Sequence, residues 1–419
     1  MHKFLLLTAF LFGLQWGAIR GQNARYQWVT PEQLGLENFD PLPTAPPKRL
    51  TRSQRIDYEP HLPDTIHDRS TFTRYIQLAF HYMNTTDTFY TEYEGAEGLR
   101  YAKDLTHYMN VHLERNEPYS LNPDLPVYDP PWRYELGRKP GTEERAVYHH
   151  YSDSDYDYVH SGPHSNRGRR NVNKYADGLD SLLHIFIMAP PRDSMDSPTY
   201  TPNGPIGLWN GKVIKVAGFY PRIKPWRHRR NLNHEVGHAL GLPHAWLRND
   251  GCDDTAVHPN NCWIRSDRPE CDSLTSNNMM DYNVHQLTLT PCQIGRVNAR
   301  LSTVGSKQRR WIKPLWCKSY DGYSVRIKEF AVWTGGRDML GDIIVTTGTR
   351  LRIEGRVHLP ADARITVEPG ATLELGPDAF LHNDCGQNWQ GIELGRKRRQ
   401  EGRIITEPGF RIQNAMIHL

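Results

Sequence analysis

The sequence predicts an α+β domain with a mixed sheet, followed by an all-β region. Between residues 71 and 318, runs with the two-residue alternation of strands are separated by segments whose apolar residues have helical spacing. Between residues 319 and 419, short apolar runs alternate with turn glycines and recur at a regular interval. We therefore expect one layered domain that contains helices and one region of stacked strands.

The α+β prediction depends on segments in the order strand, helix, strands, helix. Residues 75–82 alternate like a strand, and residues 94–114 place apolar side chains at helical spacing. Residues 182–187 are almost wholly apolar, as expected of a buried central strand, and residues 212–219 predict another strand. A second helix is expected to begin near Asn231 and to pack under the sheet.

The all-β prediction depends on an internal repeat. Residues 343–353 and 365–375 have the same pattern, and adding 22 to Ile343 gives Ile365. A short period of alternating apolar residues with a turn glycine is typical of the stacked coils of a parallel β-helix. A small β-sandwich is the alternative. The chain ends just after such a strand, so we expect an exposed strand edge that favours self-association or binding to a cell surface.

The amino-terminal residues are typical of an exported protein. An apolar run over residues 4–14 follows Met-His-Lys and precedes small residues, which predicts a secretory signal peptide over residues 1–21. The run is too short to anchor a protein in a bilayer, and we expect no transmembrane segment. Residues 22–70 are rich in Pro, Arg and Asp and are interpreted as a pro-segment or an N-terminal arm. The mature protein is therefore expected to be secreted.

Composition and charge exclude little, but they favour a protein that does not bind nucleic acid. The net charge is +4, and both signs are mixed along the chain. A histidine-rich loop over residues 148–170 is interpreted as a solvated surface loop, with a second metal site as the alternative. A basic run over residues 224–230 is interpreted as a solvated approach to the second helix, with a preference for acidic substrates as the alternative.

All six cysteines follow residue 251. In an oxidising compartment, the first four are expected to form disulfides that tie down a long loop, and three pairings are possible. The last two pair with each other or remain free. In chain order, these residues are Cys252, Cys262, Cys271, Cys292, Cys317 and Cys385.

The second helix carries the motif H-E-x-x-H-x-x-G-x-x-H. His234 and His238 are four residues apart, so both imidazoles leave one face of the helix, as two ligands of one zinc ion require. The glycine allows a reversal that returns His244 as the third ligand. Three ligands leave a fourth position for water, and Glu235 is placed to act as general base on a zinc-activated water.

A methionine turn is expected beneath these ligands. Residues 277–283 read Asn-Asn-Met-Met-Asp-Tyr-Asn. Met280 would supply an apolar cushion against the imidazoles, and Tyr282 would direct its phenol at the developing oxyanion. This pair of motifs is typical of metzincins.

From residue 234 to about residue 296, the chain resembles the pappalysin (cytophagalysin) family of metzincin zinc metallopeptidases. The resemblance is carried by motifs in family order, namely the zinc motif, Asp253-Asp254-Thr255, residues 278–282 and residues 289–296. It implies a zincin-like domain over residues 71–318, with a two-part structure and a horizontal cleft. It also implies a secreted zinc-dependent endopeptidase that acts on proteins or peptides.

The same resemblance implies roles for individual residues. His234, His238 and His244 would be zinc ligands, Glu235 the general base and Met280 the Met-turn residue. Tyr282 would stabilise the transition state, and Asp253 and Asp254 are possible calcium ligands. The implied disulfides are Cys252–Cys271 and Cys262–Cys292, although Cys292 lies a few residues later than in better-known relatives. The alternative function is a surface adhesion protein that uses the zinc domain as a scaffold.

Overall fold

The computed structural model describes residues 24–35, 57–64, 71–87, 93–195, 206–217 and 224–416. The signal peptide predicted over residues 1–21 lies outside these ranges, as does much of the segment predicted to be a pro-segment or arm. No described helix is long and apolar enough to cross a membrane.

The described helices are α1 (Gly95–Leu113), α2 (Arg192–Met195), α3 (Arg229–Ala239), α4 (Cys271–Leu274), α5 (Pro291–Ser302) and α6 (Lys307–Arg310). The strands are β1 (Arg25–Trp28), β2 (Arg74–Asn84), β3 (Trp132–Leu136), β4 (Val147–Tyr151), β5 (Leu183–Ile187), β6 (Ile206–Trp209), β7 (Ile214–Ala217), β8 (Val325–Ile327), β9 (Ala331–Trp333), β10 (Arg337–Asp338), β11 (Ile343–Val345), β12 (Arg350–Ile353), β13 (Arg356–His358), β14 (Arg364–Val367), β15 (Thr372–Leu375), β16 (Phe380–His382), β17 (Gly391–Lys397), β18 (Gln400–Glu401), β19 (Arg403–Thr406) and β20 (Arg411–Ile412).

The first region is built on a mixed sheet. Its strand order is β3-β2-β5-β7-β6, and β4 pairs with the second half of β2. All of these pairs are parallel except β6 with β7, which is antiparallel. Every residue of β5 is buried, which confirms the central strand predicted over residues 182–187. Helix α1 confirms the predicted helix over residues 94–114, and it packs on α3 in one core with the sheet.

The second region is a stack of coils, each of which adds one strand to each of three sheets. The strand orders are β17-β14-β11-β8, β19-β15-β12-β9 and β20-β16-β13-β10, and all of these neighbours are parallel. Ile343 pairs with Ile365, which is the pair that the 22-residue offset predicted. The apolar side chains of successive coils are buried in one core between the sheets. The parallel pairing argues against the β-sandwich alternative.

The segment before residue 71 lies on both regions. Strand β1 pairs antiparallel with β17 and covers the edge of the first of the three sheets. Further along, the Asn298 side chain of α5 donates to the His61 carbonyl at 2.9 Å. The Asp64 carboxylate lies 3.8 Å from the Arg337 guanidinium of β10. The described parts of this segment therefore contact both the α+β domain and the coils, and the choice between a pro-segment and an arm stays a prediction.

A buried charge cluster lies where the two regions meet. The Asp338 carboxylate, on β10, contacts the guanidinium groups of Arg309 and Arg356 at 2.8 Å and that of Arg74 at 3.3 Å. Burial alone would raise the pKa of this carboxyl, but the three cations hold it well below its ordinary value. The side chain of Asp338 is fully buried, so its charge depends entirely on these partners.

The histidine-rich loop is only partly the solvated surface loop that was predicted. The buried Lys215 ammonium donates to the carbonyls of Arg167 at 2.9 Å and Arg169 at 3.0 Å, which fixes the backbone of the loop. Of the loop histidines, His150 enters a buried array. Its Nε2 lies 2.8 Å from His81 Nδ1, and His81 Nε2 lies 2.9 Å from His184 Nδ1. No second cluster of metal-ligating side chains forms from this loop within the described residues.

The histidine array is expected to make the protein sensitive to acid. Burial, followed by the neighbouring histidines, holds the pKa of His81 well below its ordinary value, and burial lowers the pKa of His150 to about 4. Because the unfolded chain takes up these protons first, stability is lost as the pH falls from about 6.5 towards 4. We expect a loss of about 2 kcal/mol or more from the array in urea titrations at pH 7 and pH 4.5. His150→Phe should flatten this dependence, whereas a change at the exposed His164 (His164→Gln) should not. An unchanged slope in His150→Phe would contradict the assignment.

Candidate metal centre and catalytic site

Helix α3 and the turn after it bring three imidazoles together. His238 Nε2 lies 3.1 Å from His234 Nε2 and 3.1 Å from His244 Nε2. Nitrogen ligands of tetrahedral zinc, at bonds of about 2.0–2.1 Å, are roughly 3.3 Å apart. The three nitrogens therefore have the spacing that one zinc ion requires.

The opposite ring nitrogens fix how these imidazoles are protonated. His234 Nδ1 lies 2.8 Å from the Met279 carbonyl, and His238 Nδ1 lies 2.8 Å from the Leu242 carbonyl. A carbonyl only accepts, so each Nδ1 carries the proton and each Nε2 presents a lone pair. Lone pairs that converge at 3.1 Å repel one another unless a cation lies between them. The donor set thus fits a metal ion.

The reversal that returns His244 depends on glycine. Gly241 has φ +95°, in the left-handed region that favours glycine. The Arg300 side chain of α5 packs where a β-carbon at this position would lie. A side chain at residue 241 would therefore be strained by its backbone and would overlap α5.

Met280 lies fully buried beneath α3. A β-carbon on Gly237 would overlap its sulfur, so the glycine of the helix allows the methionine to approach. The Met280 amide donates to Asn278 Oδ1 at 2.8 Å, and Asn278 Nδ2 donates to Gln293 Oε1 at 2.9 Å. Gln293 also closes the capping box of α5. The methionine turn is therefore connected rigidly to the start of α5.

Glu235 is buried between α3 and strand β6. The Trp209 amide donates to Glu235 Oε2 at 2.9 Å. Gly207 approaches so closely that a β-carbon there would lie 2.7 Å from the Glu235 carboxyl carbon. Strand β6 therefore positions the carboxylate next to the histidine cluster.

The close approach of Gly207 leads to a specific prediction. A methyl group at this position must displace Glu235, and a displacement of about 1 Å in a catalytic group can cost roughly a hundredfold in rate. We expect Gly207→Ala to lower kcat/KM for a peptide substrate by about ten- to a hundredfold, with the metal content unchanged. Gly168→Ala is the matched control, since nothing lies within 4 Å of the added carbon. Wild-type activity in Gly207→Ala would contradict this position of Glu235.

Aromatic side chains form one wall beside the imidazoles. Trp246 stacks on His244 with ring centroids 4.0 Å apart, and Tyr282 lies 5.1 Å from the same ring. Burial, and then the charge of Glu235, raise the pKa of Tyr282, so its phenol keeps its proton at neutral pH. Tyr282 is 43% exposed, which leaves the ring accessible from solvent.

The disulfides implied by the family resemblance are wrong. The bonds are Cys252–Cys292 and Cys262–Cys271. Arg296 of α5 donates to the Gly251 carbonyl at 3.0 Å, which brings the adjacent Cys252 against Cys292 in the first turn of α5. Cys262 and Cys271 are only 9 residues apart and pair within the loop.

Cys317 and Cys385 pair with each other, as one of the two predicted alternatives stated. This bond joins the end of the α+β domain to the turn after β16. Three disulfides fit a protein that folds in an oxidising compartment.

The possible calcium ligands have other partners. Asp254 accepts from the Thr290 hydroxyl at 2.7 Å and from the Cys292 amide at 2.8 Å, so it caps the positive end of α5. Within the described residues, Asp254 is grouped only with the sulfurs of Cys252 and Cys292, which form a disulfide, and Asp253 belongs to no such group. Calcium binding stays a prediction without support from this geometry.

Several contacts of the site were missed by the sequence analysis. Trp246 follows His244 by two residues, and this proximity was an available signal. The approach of Gly207 and Trp209 to Glu235 brings together residues more than 20 positions apart, and no strand was predicted over β6. The Gln286 amide, 3.4 Å from His234 Nδ1, had no signal in the sequence.

Comparisons with known proteins give distant structural similarities. Mirolysin with a bound compound has a TM-score of 0.38 and 14% identity, covering 57% of this chain and 96% of that chain. Mature mirolysin from Tannerella forsythia with a cleaved peptide has a TM-score of 0.34 and 14% identity, covering 59% of this chain and 96% of that one. A promirolysin mutant from the same organism has a TM-score of 0.37 and 14% identity, covering 61% of this chain and 87% of that chain. No family model and no curated protein matches the chain. At this distance, the similarities do not establish a family.

Proposed function

We propose that the protein is a secreted zinc-dependent endopeptidase. The observation that carries the proposal is the convergence of three imidazole Nε2 atoms, with His238 3.1 Å from each of the other two and the opposite nitrogens of His234 and His238 bonded to carbonyls. The Glu235 carboxylate beside this cluster supplies the base that a hydrolase needs, whereas a scaffold has no use for it. The three disulfides support secretion.

His234, His238 and His244 would hold the zinc ion, which when bound would supply Lewis-acid chemistry to a water molecule and a carbonyl group. Glu235 takes the proton from the attacking water and passes it to the leaving amine. The Tyr282 phenol, which keeps its proton, donates a hydrogen bond to the carbonyl oxygen as negative charge develops. Met280 supports the imidazoles from below. These roles are the ones that the family resemblance implied for the same residues.

The C-terminal region is interpreted separately from the peptidase domain, by its fold and its sheet edges. Its parallel coils support the inference that residues 325–412 form a parallel β-helix. Strands β19 and β20 end two of its sheets, and they are the edges where self-association would occur.

Removal of the metal tests the proposed function. Casein hydrolysis should be lost after dialysis against a chelator, because the chelator removes the ion that the three histidines would hold. Stoichiometric zinc should restore it. The measurement is the release of acid-soluble peptides, with zinc content determined in parallel. Hydrolysis that persists without metal would contradict the proposal. An adhesion protein with a zinc scaffold would show no hydrolysis in either state.

A further inference from the structure

A basic side chain extends the face of α3 that carries the metal ligands. Arg230, His234 and His238 follow one another at intervals of four residues within Arg229–Ala239. Residues at this spacing lie on one face of a helix, one turn apart. The half-buried Arg230 therefore leaves the helix one turn before the first imidazole.

Few carboxylates offset the charge at this end of α3 within the part of the chain that the structure describes. The first turn contains Arg229 and Arg230 and no acidic residue, although a helix N-terminus disfavours cations by about 0.3–1 kcal/mol. Burial, and then the charges of Arg230 and Arg115, lower the pKa of Arg229, so both cations are within electrostatic range of it. Among the described residues, the only carboxylate paired with any of them is Glu117, which lies 3.5 Å from Arg115 at the surface.

His112 connects these cations with the segment that follows Met280, because it is influenced by both. The Gln286 amide of this segment lies 3.4 Å from His234 Nδ1, and the backbone of its neighbour His285 raises the pKa of His112. The same His112 side chain is within electrostatic range of all three arginines. The nearest buried carboxylate on this segment, Asp281, is already bonded to His258 at 3.0 Å. The positive charge at this end of α3 is therefore not offset by a free carboxylate of this segment.

We propose that Arg230, assisted by Arg229 and Arg115, forms a subsite that binds an acidic side chain of the substrate, so that the protein cleaves peptides next to Asp or Glu. This inference rests on the proposed function. A guanidinium forms charge-assisted hydrogen bonds to a carboxylate of the substrate. The uncharged amide of a Gln side chain at the same substrate position cannot form them. Substrate binding would then account for the basic run before α3, which the alternative interpretation as a solvated segment leaves without a role.

Peptide pairs that differ only in Glu or Gln test the subsite. The substituted residue is placed in turn at each of the two positions on either side of the scissile bond. At one of these positions, we expect wild-type kcat/KM to be about tenfold or more higher for Glu, since such bonds contribute roughly 1.5–3 kcal/mol. Arg230→Gln should remove this preference and leave cleavage of the Gln peptide nearly unchanged. Arg230→Glu should reverse the preference towards a Lys peptide.

Arg227→Gln is the matched control, because this exposed residue lies in the short turn Pro225–Arg227, outside the helix that carries the ligands. Arg115→Gln, on a different segment, should weaken the preference without altering α3. Equal cleavage of the Glu and Gln peptides by the wild-type protein would overturn the subsite and leave the peptidase proposal intact. An equal loss for both peptides in Arg230→Gln would show a structural role and would also overturn it.

Failure of the proposed function gives a different result, namely no cleavage of any peptide. The subsite is then tested without turnover, by the binding of labelled Glu and Gln peptides to the zinc-loaded Glu235→Ala variant. Tighter binding of the Glu peptide that weakens with added salt would support the subsite. Equal binding of the two peptides would overturn it.

Discussion

Glu235→Ala is expected to abolish peptide hydrolysis while the zinc content is retained. Glu235 is adjacent to the ligands but is not one of them, since the three imidazoles converge without it. Its loss removes the group that accepts and returns the proton, a contribution of about 10²–10⁴-fold, and nothing else within the described site replaces it. The measurement combines kcat/KM for a peptide substrate with metal analysis of the same preparation.

His234→Ala is the comparison variant for this experiment. It should lose metal as well as activity, because two imidazoles hold zinc less tightly than three. The pair of variants therefore separates proton transfer from metal binding. Glu235→Ala with wild-type kcat/KM would contradict the role of Glu235 as general base.

Asp338→Asn is expected to lower the free energy of unfolding by about 3–5 kcal/mol. The amide has nearly the same shape, but it leaves the buried guanidinium groups of Arg74, Arg309 and Arg356 without their counter-charge. Breaking one partner of a buried ion pair has this magnitude because the remaining charges stay buried. The measurement is urea unfolding of the disulfide-intact protein, followed by tryptophan fluorescence.

The control for Asp338→Asn is Arg326→Gln at an exposed ion pair. Arg326 lies 3.0 Å from Glu368, but its side chain is 49% exposed, so the expected change is below about 1 kcal/mol. Similar small changes in both variants would contradict the buried cluster. If the cluster couples the two regions, the wild-type protein should unfold in one transition, and Asp338→Asn should separate it into two.

The zinc motif was predictable from the sequence because its geometry is local. Helical spacing and one glycine determine how His234, His238 and His244 converge, and Met280 was found by its position after the motif. The disulfide pairing was not predictable from the sequence, because Cys252 meets Cys292 only through the packing of Gly251 on α5. The Asp338 cluster was missed for the same reason, since its arginines come from three distant segments.

The β-rich region was predictable to the level of strand register. A parallel coil stacks equivalent residues, so a constant offset in sequence becomes a hydrogen-bonded pair, as for Ile343 with Ile365. The cover of β17 by β1 was not foreseen, because the arm has no repeat in common with the coils. The expected exposed edge is therefore covered in one of the three sheets.

Pairing of β1 with β17 also constrains the order of folding. Arg25 pairs with Arg396, so the partners are about 370 residues apart. Closing a loop of this length cannot begin until nearly the whole chain has been synthesised, and the entropic cost of closure is met only when the coils already present an edge. The arm is thus expected to dock last during folding and to detach first during unfolding. Hydrogen exchange should find the amides of β1 less protected than those of β14, although both strands hydrogen-bond to β17.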